Sequence, residues 1–461
     1  MASSAAVAFS LLTAVLTFSL VGAEGYVGVN YGRIADNLPT PDKVVELLKA
    51  QRISRVKLFD TDSAVLTALA DTNISVAVAL PNELLKSAAA EQTTFADDWV
   101  KANIGSYYPS TKIEAIAIGN EVFVDPAHTT PFLVPAMKNI YSSLQKFNLS
   151  SIKVSSPLAL SSLNVSYPPS AGAFQPDLME AVIKPMLDFI SQTESYLMVN
   201  AYPFFAYSAN SKEISLDYAL SNENPGVVDP GNGLTYHSLL DAQLDAIYAA
   251  VATAGQNNIS LVVTETGWPS AGDENEVGAG QSNAATYNGN LVKRVLTGKG
   301  TPLKPEVPLG VYLFALFNEN MKTGPTSERN YGLFYPNEQK VYDIHLTTTS
   351  VDDDQIIPGG NTVSKAVVVG QTWCVANGNA AMKDLQVALD YACGEGGADC
   401  RPIQQGSACY EPNTLMAHAS YAFNSYYQKN RRRGGTCSFG GTAHVVTQSP
   451  RFNNCQYPTG Y

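Results

Sequence analysis

The chain has 461 residues, a formal net charge of −12 and 15% charged side chains. That acidic balance excludes nucleic acid and anionic membrane as main partners, since both would repel it. At 45% hydrophobic residues it can bury a sizeable core, and beyond the N-terminus no apolar run reaches the roughly 18 residues of a stable membrane span.

Residues 1–25 read as a secretory signal peptide. The stretch Ala5 to Leu20 is apolar, and the small residues Val21-Gly22-Ala23 follow it. No Lys or Arg precedes the stretch, and a retained membrane anchor is the competing reading. Export implies a secreted protein, extracellular or in a cell wall. Asn-x-Ser sequons at Asn73, Asn148, Asn164 and Asn258 agree, because sugar is added in the secretory pathway.

Residues 26–346 contain no cysteine and form one large α/β domain in which short apolar runs alternate with amphipathic stretches. The runs are Val27–Gly32, Arg55–Asp60, Ser75–Leu80, Ile113–Glu121, Ile152–Leu160, Tyr196–Phe205, Leu261–Trp268 and Val307–Asn320. Their near-continuous hydrophobicity suits strands buried on both faces, and eight such strands close a (β/α)8 TIM barrel. Helices are expected at Thr40-Pro41-Asp42 onward, with a cap, and at Phe95–Tyr107, Pro131–Phe147, Leu178–Thr193, Ser238–Ala254 and Ala284–Leu296. A doubly wound open sheet is the alternative, but Val27-Gly-Val-Asn-Tyr-Gly-Arg33 lacks the spacing of a phosphate-binding glycine loop.

Residues 347–371 turn to Thr, Ser, Asp, Pro and Gly and read as a linker. Residues 372–461 hold all six cysteines: Cys374, Cys393, Cys400, Cys409, Cys437 and Cys455. An even number clustered in so short a stretch marks a small disulfide-stapled module in an oxidising compartment. Zinc is the competitor, but His418 and His444 are not spaced as ligand pairs, and no metal or cofactor is expected. Helices are expected over Met382–Ala392 and His418–Gln428. Arg431-Arg432-Arg433 reads as a solvated loop, with contact to an acidic wall polymer as the other reading.

In a parallel barrel the C-terminal strand ends share one mouth, so residues remote in sequence converge there. Those ends carry Asn30 and Tyr31, Asp60, Asn120 and Glu121, Asn200 and Tyr202, Glu265 and Trp268, then Asn318, Glu319 and Lys322. Two carboxylates among amides and aromatic rings suit a sugar-binding cleft that cleaves a glycosidic bond. Glu265 is assigned as nucleophile and Glu121 as acid/base, with about 5 to 5.5 Å expected between their carboxyl groups. Asn120 is positioned for the sugar 2-hydroxyl. The competing reading is a buried ion pair with Lys57 or Lys322, which leaves the second carboxylate unexplained.

Val29-Asn-Tyr-Gly32, Ile118-Gly-Asn-Glu121, Val263-Thr-Glu-Thr-Gly-Trp-Pro-Ser270, Phe317-Asn-Glu-Asn320 and Glu328-Arg-Asn-Tyr-Gly-Leu-Phe-Tyr-Pro336 resemble, in order, the plant endo-1,3-β-glucanases of glycoside hydrolase family 17. The resemblance implies a retaining mechanism with Glu121 as acid/base on strand four and Glu265 as nucleophile on strand seven. It also implies cleft roles for Tyr31, Asn120, Glu319 and Lys322; Tyr202 and Trp268 are further substrate-binding candidates. The expected partner is 1,3-β-glucan such as callose, with a mixed-linkage 1,3;1,4-glucanase and a non-hydrolytic glucan-binding wall protein as alternatives.

The tail, through Trp373-Cys-Val-Ala376, Asp390-Tyr-Ala-Cys-Gly394, Asp399-Cys400, Ala422-Phe-Asn424 and Cys437-Ser-Phe439, is similar to the carbohydrate-binding modules of family 43. Six cysteines allow fifteen pairings. The resemblance implies Cys374 with Cys437, Cys393 with Cys400 and Cys409 with Cys455. Tyr421, Phe423, Tyr426 and Tyr427 fall at helical spacing and read mostly as core. The ending Gln456-Tyr-Pro-Thr-Gly-Tyr461 lacks a hydrophobic tail, so no lipid anchor is expected, and a monomer is the default.

Overall fold

A computed structural model describes residues 25–91, 94–346, 372–377, 380–429, 437, 439–446, 450 and 455–459. Of the expected signal peptide 1–25 only Gly25 is among the described residues, and the expected linker 347–371 and Arg431-Arg432-Arg433 lie outside them. The chain divides into two compact units after Asp353.

The first unit is built on parallel strands β1 (Tyr26–Asn30), β2 (Arg55–Lys57), β3 (Ser75–Leu80), β4 (Lys112–Ile118), β5 (Lys153–Ser155), β6 (Pro157–Ala159), β7 (Leu197–Asn200), β8 (Leu261–Thr266) and β9 (Gly310–Leu313). They run in the order β5-β4-β3-β2-β1-β9-β8-β7-β6. The two ends of that order are halves of one chain segment: β5 pairs with β4 and β6 pairs with β7, all in parallel register. The sheet therefore closes into an eight-stranded barrel. The break falls before Pro157, which has no amide to donate; its carbonyl instead accepts from Glu121 N–H at 3.0 Å.

All six residues of β3 and all six of β8 are buried, as strands covered on both faces require. Ala77, Ala79, Ala115, Ala117 and Met198 pack together as a small cluster of their own, in the strand alternation that turns every second residue to one face. At the N-terminal strand ends, Arg55 pairs with Glu114, Tyr312 Oη donates to Glu114 at 2.8 Å, and the Arg55 guanidinium lies 4.0 Å from the Tyr26 ring centre.

The helices cover the outer face. They are α1 (Pro41–Ala50), α2 (Ser63–Ala68), α3 (Phe95–Val100), α4 (Leu133–Lys146), α5 (Lys184–Gln192), α6 (Pro203–Ala209), α7 (Leu239–Thr253) and α8 (Gln281–Val295). In α1, Val44, Val45, Leu47 and Leu48 form the buried stripe behind Pro41 and Asp42, but Thr40 makes no side-chain cap. Side-chain caps stand at α2, unexpected from the sequence, where Asp62 accepts from the amides of Ala64 and Val65 at 3.0 Å, and at α7, where Ser238 Oγ accepts from the Asp241 amide at 3.5 Å. The sixth apolar run, Tyr196–Phe205, ends early as a strand: Pro203, set for a helical first turn, starts α6.

The second unit pairs β10 (Trp373–Ala376) antiparallel with β11 (Ala443–Val446) beside α9 (Met382–Cys393) and α10 (Leu415–Lys429). Cys374–Cys437, Cys393–Cys400 and Cys409–Cys455 are disulfides. Tyr421, Phe423 and Tyr427 are core residues, while Tyr426 is partly exposed.

With Cys374 and Cys437 separated by 63 positions, loop-closure entropy assigns this bridge about 4 kcal/mol. Cys374→Ser with Cys437→Ser is expected to lower the calorimetric transition of the module alone. The cysteine-free barrel's transition should not move.

Candidate active site

Glu121 leaves the end of β4 through a turn that the sequence prepares residue by residue. Gly119 has φ +64°, and a side chain there would come within 2.5 Å of Val122. Asn120 N–H donates to Asn82 Oδ1 at 2.7 Å, and Asn82 Nδ2 returns a bond to the Asn120 carbonyl at 3.0 Å. Glu121 itself holds φ 49° and ψ 42°, a left-handed conformation that costs an ordinary residue about 1–2 kcal/mol. The strained backbone aims its carboxyl into the barrel mouth, where Asn200 Nδ2 donates to Oε1 at 3.0 Å. Asn200 is oriented in turn by Thr264 Oγ1, 2.9 Å from its Oδ1.

Glu265 sits in β8 with 6% of its surface exposed. Lys57 Nζ lies 2.8 Å from its Oε1, and Tyr202 Oη donates to Oε2 at 3.0 Å. The buried ion pair set against the chemical reading is thus real, yet among the described residues no cation is ion-paired to Glu121 in the same cleft. Burial first, and then the Glu265 charge, push the Glu121 carboxyl above its ordinary range; Asn200 and Lys57 oppose the shift. Burial and the Glu265 charge likewise hold the Tyr202 hydroxyl well above its usual range, so it stays a donor.

Both carboxyls line a cleft of about 770 Å³, together with Asn120, Asn200, Tyr202, Glu319 and Lys322. Glu319 is 2% exposed and accepts the Ile34 amide at 2.8 Å, with Lys322 Nζ 3.8 Å away. Burial raises its carboxyl, and the Lys322 charge works against that rise. A Cβ on Gly32 would meet the Glu319 carboxylate at 2.5 Å, so the glycine makes room for it. Among the described residues, no group of three or more His, Cys, Asp or Glu is placed to hold a metal ion, and no helix is long and apolar enough to cross a membrane.

Two expected cleft residues lie elsewhere. Trp268 is fully buried, its indole N–H donating to the Gly278 carbonyl at 2.8 Å and its rings packed 5.3 Å from Phe204 and 5.5 Å from Tyr287. It supports the wall and offers no face to a sugar. Tyr31 is 4% exposed and meets Phe317 edge-on at 6.2 Å; its neighbours Gly32 and Arg33 line the cleft in its place.

The aromatic lining comes instead from Phe59, Tyr202, Phe205, Phe314 and Tyr331, with Arg33 and Glu328 as further charged groups. Phe205 is 47% exposed on α6. An exposed aromatic two residues past a strand-ending proline is the signal that could have found it. Phe314 carried no such signal, lying within a continuous apolar run. Asn73, Asn148, Asn164 and Asn258 are all exposed.

A model of the glycosyl hydrolases family 17 matches residues 27–346, and one of the X8 domain matches residues 372–444. Glucan endo-1,3-beta-glucosidase 13 of Arabidopsis thaliana is 43% identical over 438 residues, spanning 94% of this chain and 85% of its own. Glucan endo-1,3-beta-glucosidase 12 of the same plant is 41% identical over 469 residues, with 97% and 88% covered. Among solved structures, a β-1,3-glucanase and allergen of Cryptomeria japonica pollen superposes with a TM-score of 0.67 at 42% identity, covering 70% of this chain and all of the other. A chain from a study of two plant β-glucan endohydrolases with distinct substrate specificities gives 0.64 at 39%, with 69% and 99% covered.

Replacing Trp268 by Ala removes a fully buried indole and should cost about 3–5 kcal/mol of stability in denaturant unfolding. A stacking platform would instead show an unchanged midpoint.

Proposed function

The chain belongs to the glycosyl hydrolases of family 17, and on that footing we propose that it cuts internal 1,3-β-glucosidic bonds of callose or related β-glucans with retention of anomeric configuration. It is a glycosidase; relatives named as glucan endo-1,3-beta-glucosidases, about two-fifths identical over nearly the whole chain, support the linkage. The observation that carries the mechanism is the unequal surroundings of two carboxyls in one cleft: Glu265 is held by an ammonium and a phenol, Glu121 by burial and an amide.

Glu265 attacks the anomeric carbon while Glu121 delivers its proton to the departing glycosidic oxygen. Once the glycosyl–enzyme bond forms, Glu265 no longer carries the negative charge that helped to raise Glu121. Glu121 then accepts a proton from water, whose oxygen bonds to the anomeric carbon and releases Glu265. The reaction needs about 5 to 5.5 Å between the two carboxyl groups, enough for a sugar carbon and no intervening water. Asn120 is assigned to the 2-hydroxyl, and the more exposed rings of Phe59, Tyr202 and Phe205 supply faces and edges for the pyranoses, backed by the buried Phe314 and Tyr331. Lys322 neutralises Glu319 on the cleft wall.

Residues 1–25 direct secretion, residues 347–371 link the barrel to the module, and residues 372–461 hold the enzyme on polymer in the cell wall. The exposed sequons support that route. The enzyme acts as a monomer, and nucleic acid is not a partner.

Glu265→Gln and Glu121→Gln should each lower kcat on soluble 1,3-β-glucan by about 10³ or more while leaving the unfolding midpoint within a few degrees. NMR early in the wild-type reaction should find the β-anomer first; an α-anomer would overturn the role of Glu265. Because Glu121 must be protonated to donate, activity should fall on the alkaline side as pH passes its raised pKa.

A further inference from the structure

Lys57 has no task in the steps above, yet its place is among the most constrained in the barrel. It is the last residue of β2 and 1% exposed, and its Nζ meets Glu265 Oε1 at 2.8 Å. On its other side the ammonium lies 3.9 Å from the centre of the Phe59 ring, itself a lining residue of the cleft. A buried Lys–Glu pair is a poor device for stability alone, since apolar residues of like volume often serve the fold as well or better. Its retention here therefore points to the carboxylate it touches.

We infer that Lys57 is a positioning residue for the reaction, fixing the rotation of the Glu265 carboxylate through Oε1 and balancing the charge that returns when the glycosyl–enzyme bond breaks. This deepens the reading of Glu265 as nucleophile and rests on it. In the first step the bond to the leaving sugar breaks as Glu265 bonds to the anomeric carbon, and the Glu121 proton goes to the departing oxygen. In the second, water oxygen bonds to that carbon, its proton goes to Glu121, and the electron pair of the ester bond returns to Glu265. The carboxylate is anionic at the start and end of the cycle and neutral between. A fixed cation at 2.8 Å stabilises the negative charge that returns to Glu265 as the bond to the anomeric carbon breaks, which helps breakdown of the intermediate.

The other charged or titratable groups facing Glu265 come from separate elements: Glu121 after β4, Tyr202 after β7 and Glu319 after β9. Two of these are carboxyls and the third is a phenol, while Lys322 is engaged by Glu319 and Glu328. Lys57 is the cation ion-paired to Glu265 among the described residues.

The test uses the full chain on soluble 1,3-β-glucan, with kcat, KM and the pH profile measured for Lys57→Met, Lys57→Gln and Lys57→Arg beside Glu265→Gln. Loss of the charge should lower kcat by about 10²–10³ with KM within about threefold. The alkaline limb, set by Glu121, should move to higher pH in the Met and Gln variants, since the Lys57 charge is one of the groups that oppose the rise of the Glu121 carboxyl. Arg, which keeps the charge, should hold that limb in place and restore most of kcat. The Gln variant, able to hydrogen-bond Glu265 without charge, keeps the test open if Met fails to fold. Folded Met or Gln variants with an unmoved alkaline limb and undiminished kcat, or an Arg variant no better than Gln, would overturn the inference. If Glu265→Gln itself stayed active, the reading of Glu265 would fail, a result distinct from inactive Glu265→Gln with an indifferent Lys57.

Discussion

Two carboxyl groups sharing a buried cleft cannot both be ionised cheaply, and the rest of this structure follows from how that conflict is resolved. Each charge raises the free energy of the other, and burial raises both. The barrel settles the matter by asymmetry. An ammonium and a phenolic hydroxyl are brought to Glu265, while Glu121 receives one neutral amide donor and keeps its proton more tightly. One cleft thereby holds two carboxyls in unequal surroundings, the asymmetry on which the proposed acid and nucleophile roles rest.

Achieving this takes side chains from β2, β4, β7 and β8, none adjacent in sequence. The parallel barrel supplies them because every strand ends at the same mouth. The split of one strand at Pro157 closes the sheet and leaves a carbonyl to tie down the Glu121 amide. The left-handed backbone at Glu121 and the positive φ of Gly119 are where the fold bears strain to aim a functional group. Ala77, Ala79, Ala115 and Ala117 cluster with Met198, and Lys57, which stands opposite Ala77 in the β2–β3 register, reaches the carboxylate with almost no exposure.

Much of this was legible in the chain. Apolar runs without alternation announced buried parallel strands, and acidic residues closing two of them announced the chemistry. Side-chain direction was less legible. Trp268, three residues past Glu265 in the same motif, falls within the wall, and Tyr31 turns toward Phe317. Phe59 and Phe314 reach the cleft from positions whose patterns resemble ordinary core, whereas Phe205 follows Pro203 closely enough to have been found. Lys57 was visible only as a possible ion-pair partner, since a lysine in an apolar strand says nothing of which carboxylate it will meet. In the module, helical spacing of Tyr421, Phe423 and Tyr427 was enough to mark core, because a single helix carries all three.

The central claim concerns where a proton resides, so the most direct measurement observes that proton. Carboxyl-labelled glutamate NMR can follow the titration of Glu121 in the wild-type chain and in Glu265→Gln. With the neighbouring charge removed and Lys57 still present, Glu121 should titrate at distinctly lower pH than in the wild type. A Glu121 resonance whose midpoint is the same in both proteins would contradict the account.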